Sequence, residues 1–202
     1  MDPGHRAQEA RRLLGLVASR SDPAAERARP GQEQFSDIVR LLILTGQRRE
    51  EIGGLRWSEV DLDRGLIALP AERTKNRREH IIPLSPLARA IVERQPRCTE
   101  RDTERDPIFG IGLGGFSGWS DCKAKLDAGL SIAQFRLHDL RLTCATGMAD
   151  LGVQPHVIEA VLNHVSGHKA GVAGIYNRAT YEKEKREILD RWAQHVEAIT
   201  TL

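Results

Sequence analysis

Two short apolar runs separated by a charged stretch constrain the fold of this chain more than any other feature. The runs are residues 65–70 and 79–84, and the stretch between them, residues 71–78, carries four basic side chains. Apolar runs of this length, bounded by polar residues, are typical of β-strands. The pattern therefore predicts two antiparallel strands around a charged loop.

The segment before this hairpin has the periodicity of helices. Ile38, Leu41 and Leu42 fall at positions i, i+3 and i+4, which predicts a helix that ends near Gly46. A second short helix is predicted over residues 50–57. Two helices therefore precede the hairpin.

Helix start signals mark the segments that follow the hairpin. Ser85 followed by Pro86 is a typical helix start, and Leu87, Ala90 and Ile91 continue this helix on one face. Four further helices are predicted over residues 120–130, 138–151, 155–162 and 180–199. The predicted fold class is therefore α+β, mainly helical, with a small antiparallel sheet.

The last predicted helix has an apolar stripe. Its members are Ile188, Trp192, Val196 and Ile199. Such a stripe packs against another apolar surface. It can cover the core of its own chain or dock on a neighbouring protomer, and our interpretation favours its own core.

Length and composition bound the class of protein. The chain has 202 residues, which suits one domain, and 40% of them are hydrophobic while 29% are charged. No apolar run reaches the roughly 18 residues of a membrane span, and the first residues are charged. These features predict a cytoplasmic protein without membrane contact. The net charge of +2 does not by itself indicate a nucleic-acid partner.

Cysteine and glycine patterns argue against metal and dinucleotide sites. The three cysteines, Cys98, Cys122 and Cys144, are odd in number and form no CxxC pair, so neither disulfides nor a structural zinc site are predicted. Residues 110–115 match GxGxxG, but a dinucleotide site needs a longer preceding strand and a following helix. This segment is therefore predicted to be a flexible loop.

Four segments carry residues suited to phosphate chemistry. They are residues 45–51 with 55–57, residues 74–75, residues 138–141, and residues 162–164 followed by 175–176. Together, and in this order, they resemble the tyrosine recombinase (phage integrase) family, and most of all the integrases of prophages and genomic islands. The resemblance covers about residues 35–200.

The resemblance implies a site of six residues. They are Arg48, Lys75, His138, Arg141, His164 and Tyr176. Taken singly, each also suits a structural role: Arg48 can complement a helix end with Glu51 as its surface partner, and Lys75 can be a solvated loop residue. The six together, in the order of the family, favour the catalytic interpretation.

The implied roles follow from the chemistry of phosphodiester cleavage. A planar guanidinium group can donate two parallel hydrogen bonds to the nonbridging oxygens of a phosphate, a role that suits Arg48 and Arg141. His164 would donate a further hydrogen bond, and His138 would accept the tyrosine proton or steady the phosphate. Lys75 resembles the family's general acid for the 5′ oxygen.

Tyr176 is the implied nucleophile. Its phenol, with an ordinary pKa of about 10, is only about 0.1% ionised at pH 7, so the surrounding cations and His138 must activate it. Attack yields a 3′-phosphotyrosine that conserves the bond energy, so no cofactor, ATP or metal ion is implied. Tyr181 is the rival nucleophile. Asp139 is given only a supporting role, in which it orients Arg141 or caps its helix.

The resemblance also implies a function and partners. The function is site-specific recombination of double-stranded DNA attachment sites, with self-association into a tetramer on DNA in the full-length protein. Accessory DNA-bending proteins are further expected partners. A type IB topoisomerase activity and a catalytically silent DNA-binding module or remnant are the alternatives.

This sequence departs from the family pattern at three points. Asn163 stands where many members have glycine, and 12 residues separate His164 from Tyr176 where shorter spacings are common. Residues 1–30 suit a linker or frayed segment and not the family's core-binding domain. The expected organisation is therefore a catalytic domain over residues 31–202, from a longer protein or a truncated gene.

Overall fold

The computed structural model describes residues 30–97, 106–110, 114–129, 134–164 and 181–200. Within these ranges the chain forms seven helices and a three-stranded antiparallel sheet, which confirms the predicted α+β class. The helices are α1 (Pro30–Thr45), α2 (Arg49–Gly53), α3 (Pro86–Glu93), α4 (Trp119–Ala128), α5 (Leu137–Asp150), α6 (Pro155–Val161) and α7 (Glu182–Thr200). The strands are β1 (Val60–Asp61), β2 (Leu66–Leu69) and β3 (His80–Pro83).

The predicted hairpin is formed by β2 and β3. These strands pair antiparallel, with Leu66 opposite Pro83 and Leu69 opposite His80. Strand β1 pairs with the other edge of β2. The sequence analysis missed β1 because two residues are too few to show an alternating pattern.

Helix α1 is the centre of the core. It packs against α2, α3, α4, α5 and α7. The predicted stripe is buried, since Ile38, Leu41 and Leu42 are each at most 1% exposed. Burial of each such side chain stabilises the fold by about 1.5–3 kcal/mol. The apolar spacing in this segment therefore predicted correctly which side of the helix is buried.

A tight turn after α1 directs the chain towards the end of α6. The helix ends at Thr45, and Gly46 has a φ of +65°, a left-handed conformation that favours glycine. A Cβ at Gly46 would lie 2.8 Å from Cδ2 of Leu162 and 3.0 Å from Sγ of Cys144. Only glycine leaves this approach open, and the next residues begin the candidate site.

Helix α7 covers the core of its own chain, which confirms the favoured prediction. Its buried apolar side chains are Leu189, Trp192, Ala193 and Val196. The indole Nε1 of Trp192 donates a 2.8 Å hydrogen bond to the carbonyl O of Ile43. Gly147 of α5 makes room for the indole, because a Cβ there would lie 2.2 Å from the ring. Ile188 and Ile199, at the margins of the stripe, are half-buried.

Two local predictions differ from the structure. Helix α2 ends at Gly53, and Trp57–Glu59 forms a separate 3₁₀ turn, because the glycine ends the helical stretch.

The second difference concerns the buried face of α3. The start of this helix is as predicted, since the Ser85 Oγ accepts a hydrogen bond from the N–H of Ala88, as expected of a cap. Ala90, however, is exposed, and the buried face of α3 runs through Ala88 instead.

The glycine-rich segment lies against the end of α2. A Cβ at Gly115 would lie 2.7 Å from the carbonyl O of Gly53. Residues 106–110 and 114–118 contain neither a helix nor an extended strand, which agrees with the predicted loop, and residues 111–113 lie outside the described residues. The glycine at 115 therefore permits a close backbone contact.

The cysteines in the described part of the chain pack in the core. Cys122 and Cys144 are buried free thiols, and burial raises the pKa of Cys144 to about 12, so it stays a neutral thiol. Cys98 lies outside the described residues. Within the described ranges, no three His, Cys, Asp or Glu side chains group as metal ligands. None of the described helices is long and apolar enough to cross a bilayer.

Candidate active site

Arg48 is fixed at the N-terminus of α2 by a buried carboxylate. Its backbone N–H donates to Oε2 of Glu51 at 2.9 Å, and its Nη1 donates to Oε1 of the same residue at 2.8 Å. The side chain of Glu51 is only 3% exposed, whereas that of Arg48 is 21% exposed. Glu51 is thus the partner of Arg48, as the simpler interpretation proposed, but it is buried and not at the surface. This contact holds the guanidinium in one orientation.

Arg141 is held more deeply, on α5. The residue is 6% exposed, its Nη1 donates to the carbonyl O of Gly46 at 2.7 Å, and its Nη2 donates to the carbonyl O of Leu162 at 2.5 Å. Burial, together with the positive charge of Arg48, lowers the pKa of Arg141 to about 10. It therefore remains charged at pH 7.

The two arginines form a site with an excess of positive charge. Within the described residues, no carboxylate lies within 4.0 Å of the guanidinium nitrogens of Arg141, and Glu51 is the carboxylate that pairs with Arg48. A buried cation without its own counterion is costly, and an anion bound beside it would relieve that cost. The arrangement suits a phosphate.

The turn after α6 joins both arginines. Nη2 of Arg141 contacts the carbonyl of Leu162, and Nη2 of Arg48 lies 3.5 Å from the carbonyl O of the next residue, Asn163. His164 follows, with its backbone N–H donating to the carbonyl O of Glu159 at 2.9 Å, and the residue is exposed. The predicted residue His164 therefore lies in the turn whose two preceding carbonyls contact the arginines.

The loop between β2 and β3, which carries Lys75, contacts the same turn through Asn76. Thr74 closes the loop, with its Oγ1 donating to the carbonyl O of Arg78 at 2.7 Å. Lys75 is exposed. The side chain of the next residue, Asn76, donates from Nδ2 to Oδ1 of Asn163 at 2.7 Å. The loop that carries Lys75 is thus attached to the turn that carries His164.

One of the four cations of this loop has a structural role. Arg73 donates from Nε to Oε1 of Glu59 at 2.8 Å and from Nη2 to the carbonyl O of Gly54 at 2.6 Å. It anchors the start of the loop to the 3₁₀ turn after α2. Its partners lie 14 and 19 residues earlier in the chain, so local sequence gave no sign of the pairing.

His138 lies on α5, one helical turn before Arg141, and its side chain is exposed. The spacing of three residues places both on neighbouring positions of one helix face, as predicted. Asp139 accepts a 2.8 Å hydrogen bond from the backbone N–H of Arg136. Of the two roles considered for Asp139, the structure shows the helix cap.

Of the two tyrosines considered as nucleophiles, Tyr181 lies within the described residues and Tyr176 does not. Tyr176 lies outside the described residues, so its role stays a prediction. Tyr181 precedes α7, has a φ of +49° and is half-buried, with its ring centroid 5.6 Å from that of His156. Packing of Tyr181 against α6 gives this rival nucleophile a structural role.

A buried polar group next to the arginines was missed by the sequence analysis. Nε2 of His80 lies 3.1 Å from both Oε1 of Gln47 and the carbonyl O of Val161. Both partners are acceptors, so the ring donates from Nε2. Burial, aided by the charge of Lys185, lowers the pKa of His80 to about 3 and keeps the ring neutral. The one available signal was a histidine beside two isoleucines in a predicted strand.

Lys185 connects α7 to β3, the strand that carries His80. It is 4% exposed and donates from Nζ to the carbonyl O of Ile81 at 2.5 Å. Burial lowers its pKa to about 8. The sequence showed only a lysine in a run of charges, which is typical of a solvated helix face.

Comparison with known proteins places this arrangement in a family. Residues 6–183 match the Phage integrase family, and the chain belongs to that family, which confirms the resemblance seen in the sequence. The match begins within the segment predicted as a linker, so the boundary at residue 31 stays a prediction.

The relatives include integrases of prophages. The chain is 33% identical over 183 residues to prophage integrase IntZ of Escherichia coli (strain K12), an alignment that covers 87% of this chain and 42% of the relative. It is 33% identical over 159 residues to prophage integrase IntA of the same strain, covering 77% of this chain and 37% of the relative. The chain thus spans less than half the length of these relatives.

Solved integrase structures share the fold. An integrase from mycobacterium phage Brujita superposes with a TM-score of 0.62 at 18% identity, covering 92% of this chain and 56% of that one. The Tn1549 transposon integrase, solved in complex with circular intermediate DNA, superposes with a TM-score of 0.52 at 16% identity, covering 93% and 64%. At these identities the likeness concerns the fold alone.

Proposed function

We propose that this chain cleaves and rejoins DNA strands in site-specific recombination, through a 3′-phosphotyrosine at Tyr176. The observation that carries the proposal is the arginine pair, in which Arg48 and Arg141 are both fixed by protein contacts while one buried carboxylate pairs with Arg48. Membership of the phage integrase family supports it.

The phosphate-binding part of the site consists of the arginines and His164. Guanidinium groups donate two parallel hydrogen bonds to an oxyanion, and charge on the nonbridging oxygens increases as the pentacoordinate species forms. Arg48 and Arg141 stabilise that species more than the ground state. His164, exposed on the adjoining turn, donates a third contact.

The remaining residues move protons and form the covalent bond. The phenolic oxygen of Tyr176 attacks the phosphorus, and His138 accepts its proton or steadies the phosphate. The bond to the 5′ oxygen breaks, and Lys75 donates a proton to that oxygen. A 5′ hydroxyl of another strand reverses these steps and completes the exchange. Bond energy is conserved in the phosphotyrosine, so the chemistry needs neither ATP nor a metal ion.

The proposed partners are double-stranded attachment sites and further copies of the full-length protein, four on two duplexes. Solved complexes of the Tn1549 integrase with DNA support the DNA partner. Accessory DNA-bending proteins and a cytoplasmic location complete the proposal. Residues 31–202 form the catalytic domain in this account, and residues 1–30 lead into it.

A covalent-capture experiment tests this function. The chain is incubated in excess EDTA with nicked duplexes that carry a randomised segment, and denaturant-resistant adducts are collected and sequenced. We expect adducts from the unsubstituted chain, enriched in one sequence, and none from Tyr176→Phe, which keeps the ring but lacks the nucleophilic oxygen.

The matched control is Tyr181→Phe, which should form adducts at the unsubstituted rate. Adducts that survive in Tyr176→Phe and disappear in Tyr181→Phe would contradict the assignment. Adducts of unselected sequence, together with relaxation of a supercoiled plasmid in a parallel assay, would favour the topoisomerase alternative. Binding without any adduct would favour a silent DNA-binding module.

A further inference from the structure

Two asparagine side chains join the Lys75 loop to the His164 turn. Nδ2 of Asn76 donates to Oδ1 of Asn163 at 2.7 Å, and Nδ2 of Asn163 donates back to Oδ1 of Asn76 at 3.2 Å. Nδ2 of Asn76 also lies 3.1 Å from the carbonyl O of Asn163. Both residues are partly buried and stand 87 positions apart in the chain, so this is a tertiary contact between two loops.

The backbone at Asn163 makes this contact possible. Its φ is +47°, in the left-handed region, where asparagine is among the few residues tolerated other than glycine. Its carbonyl also faces Nη2 of Arg48 at 3.5 Å, and its neighbour is His164. A glycine here would keep the turn but would lose the side-chain amide.

The neutral character of the pair suits its surroundings. It lies beside Arg48 and next to Lys75, two cations that are needed for the DNA phosphate in the proposed function. A carboxylate at either position would pair with these cations and compete with the phosphate. An amide pair links the two loops without adding charge.

We propose that Asn76 and Asn163 are positioning residues, whose amide pair sets the place of Lys75 relative to a phosphate bound by the arginines and His164. This inference rests on the proposed function, in which Lys75 is the general acid. The amides touch neither the substrate nor the reacting atoms. Their loss should resemble the loss of Lys75 and should leave phosphate binding intact.

The test compares two leaving groups on the duplex recovered by covalent capture. One substrate has the normal 5′ bridging oxygen, and the other has sulfur there, whose thiolate leaves without a general acid. Asn76→Ala and Asn163→Gly should slow cleavage of the oxygen substrate by roughly 10-fold to 10²-fold, the scale of a misplaced catalytic group. With the sulfur substrate both should cleave at about the rate of the unsubstituted chain, as should Lys75→Ala.

A double variant and a control sharpen this result. Because the two amides act through each other, Asn76→Ala combined with Asn163→Gly should be no slower than the slower single variant. Glu72→Ala, an exposed substitution in the same loop, should behave as the unsubstituted chain with both substrates. Hydrogen exchange of residues 74–79 should accelerate in both asparagine variants while the melting temperature of the domain changes by only a few degrees.

Failure of this inference can be told from failure of the proposed function. No adduct from the unsubstituted chain with either substrate would remove the function and the inference together. Adducts from the unsubstituted chain, with asparagine variants that cleave the oxygen substrate normally or lose the same factor on both substrates, would overturn the inference alone. Unchanged exchange of residues 74–79 would also overturn it.

Discussion

The arginine pair and the Lys75 loop, which contribute to the same candidate site, are held in different ways. Arg141 is 6% exposed on a helix and donates to two backbone carbonyls, and Arg48 is fixed by a buried carboxylate. Lys75 is exposed on a loop that the side chain of Asn76 links to Asn163 in the turn after α6. The residues proposed to bind the phosphate are thus held by buried partners, whereas the proposed proton donor is exposed and is positioned through the partly buried side chain of its neighbour, Asn76.

The comparison predicts the largest losses from the arginines. Arg141→Ala and Arg48→Ala should each slow strand cleavage by at least 10²-fold to 10³-fold, roughly the contribution of one oxyanion donor. Lysine should rescue poorly at either position, because it lacks the planar fork. Single-turnover cleavage of the captured duplex measures this. An alanine variant with a near-normal rate would return that arginine to a purely structural role.

Replacement of Arg141 should also weaken the fold, whereas replacement of Lys75 should not. Loss of the guanidinium leaves the carbonyls of Gly46 and Leu162 without their donor, at a cost of about 1–3 kcal/mol for each group that stays buried. The melting temperature of each variant, measured beside its rate, separates the two effects.

Lys75→Ala should give a loss of a different kind. Cleavage of a normal phosphodiester should fall by roughly 10²-fold or more, as for a missing general acid, and a sulfur leaving group should restore it. Arg141→Ala should stay slow with both leaving groups, since its role is charge stabilisation. Equal losses on both substrates for Lys75→Ala would show that the loop does not supply the proton.

The last prediction concerns stability instead of cleavage, and it rests on pH and the buried histidine. His80 stays neutral in the folded chain because its pKa is lowered to about 3, while in the unfolded chain it takes up a proton below its ordinary value of 6.5. The free energy of unfolding should therefore fall as the pH drops from 6.5 towards 3, by about 1.4 kcal/mol per pH unit from this residue.

His80→Gln supplies the matched control for that slope. Glutamine keeps an N–H donor for the carbonyl of Val161 but does not titrate, so the variant should lose stability less steeply in the same pH window. Urea unfolding at several pH values measures both slopes. Identical slopes would show that His80 is protonated in the folded state or already open to solvent.

The fold was largely predictable because apolar spacing reports burial directly. The stripe through Ile38, Leu41 and Leu42 and the start of α3 at Ser85 both appeared as expected. Strand β1 was missed because it is two residues long. The displaced face of α3 shows that small residues such as Ala90 carry little information about which side is buried.

The candidate site was predictable only in part. The motifs occur in the order found in the family, and this order predicted Arg48, Arg141 and Lys75 as site residues, because few other sites combine two arginines and a lysine in this way. The contacts of Gln47 and His80 were not predictable, because each depends on partners brought together by the fold. The same holds for Arg73, whose partner Glu59 is fixed only once the 3₁₀ turn has formed, and for the amide pair.

The identity of the residue that carries the DNA tests the central claim most directly. The adduct formed by the unsubstituted chain is digested with protease and nuclease, and the nucleotide-linked peptide is sequenced by mass spectrometry. The account predicts a phosphodiester bond between the phenolic oxygen of Tyr176 and the 3′ end of the cleaved strand. A nucleotide on Tyr181, on a serine or at a 5′ end would contradict it.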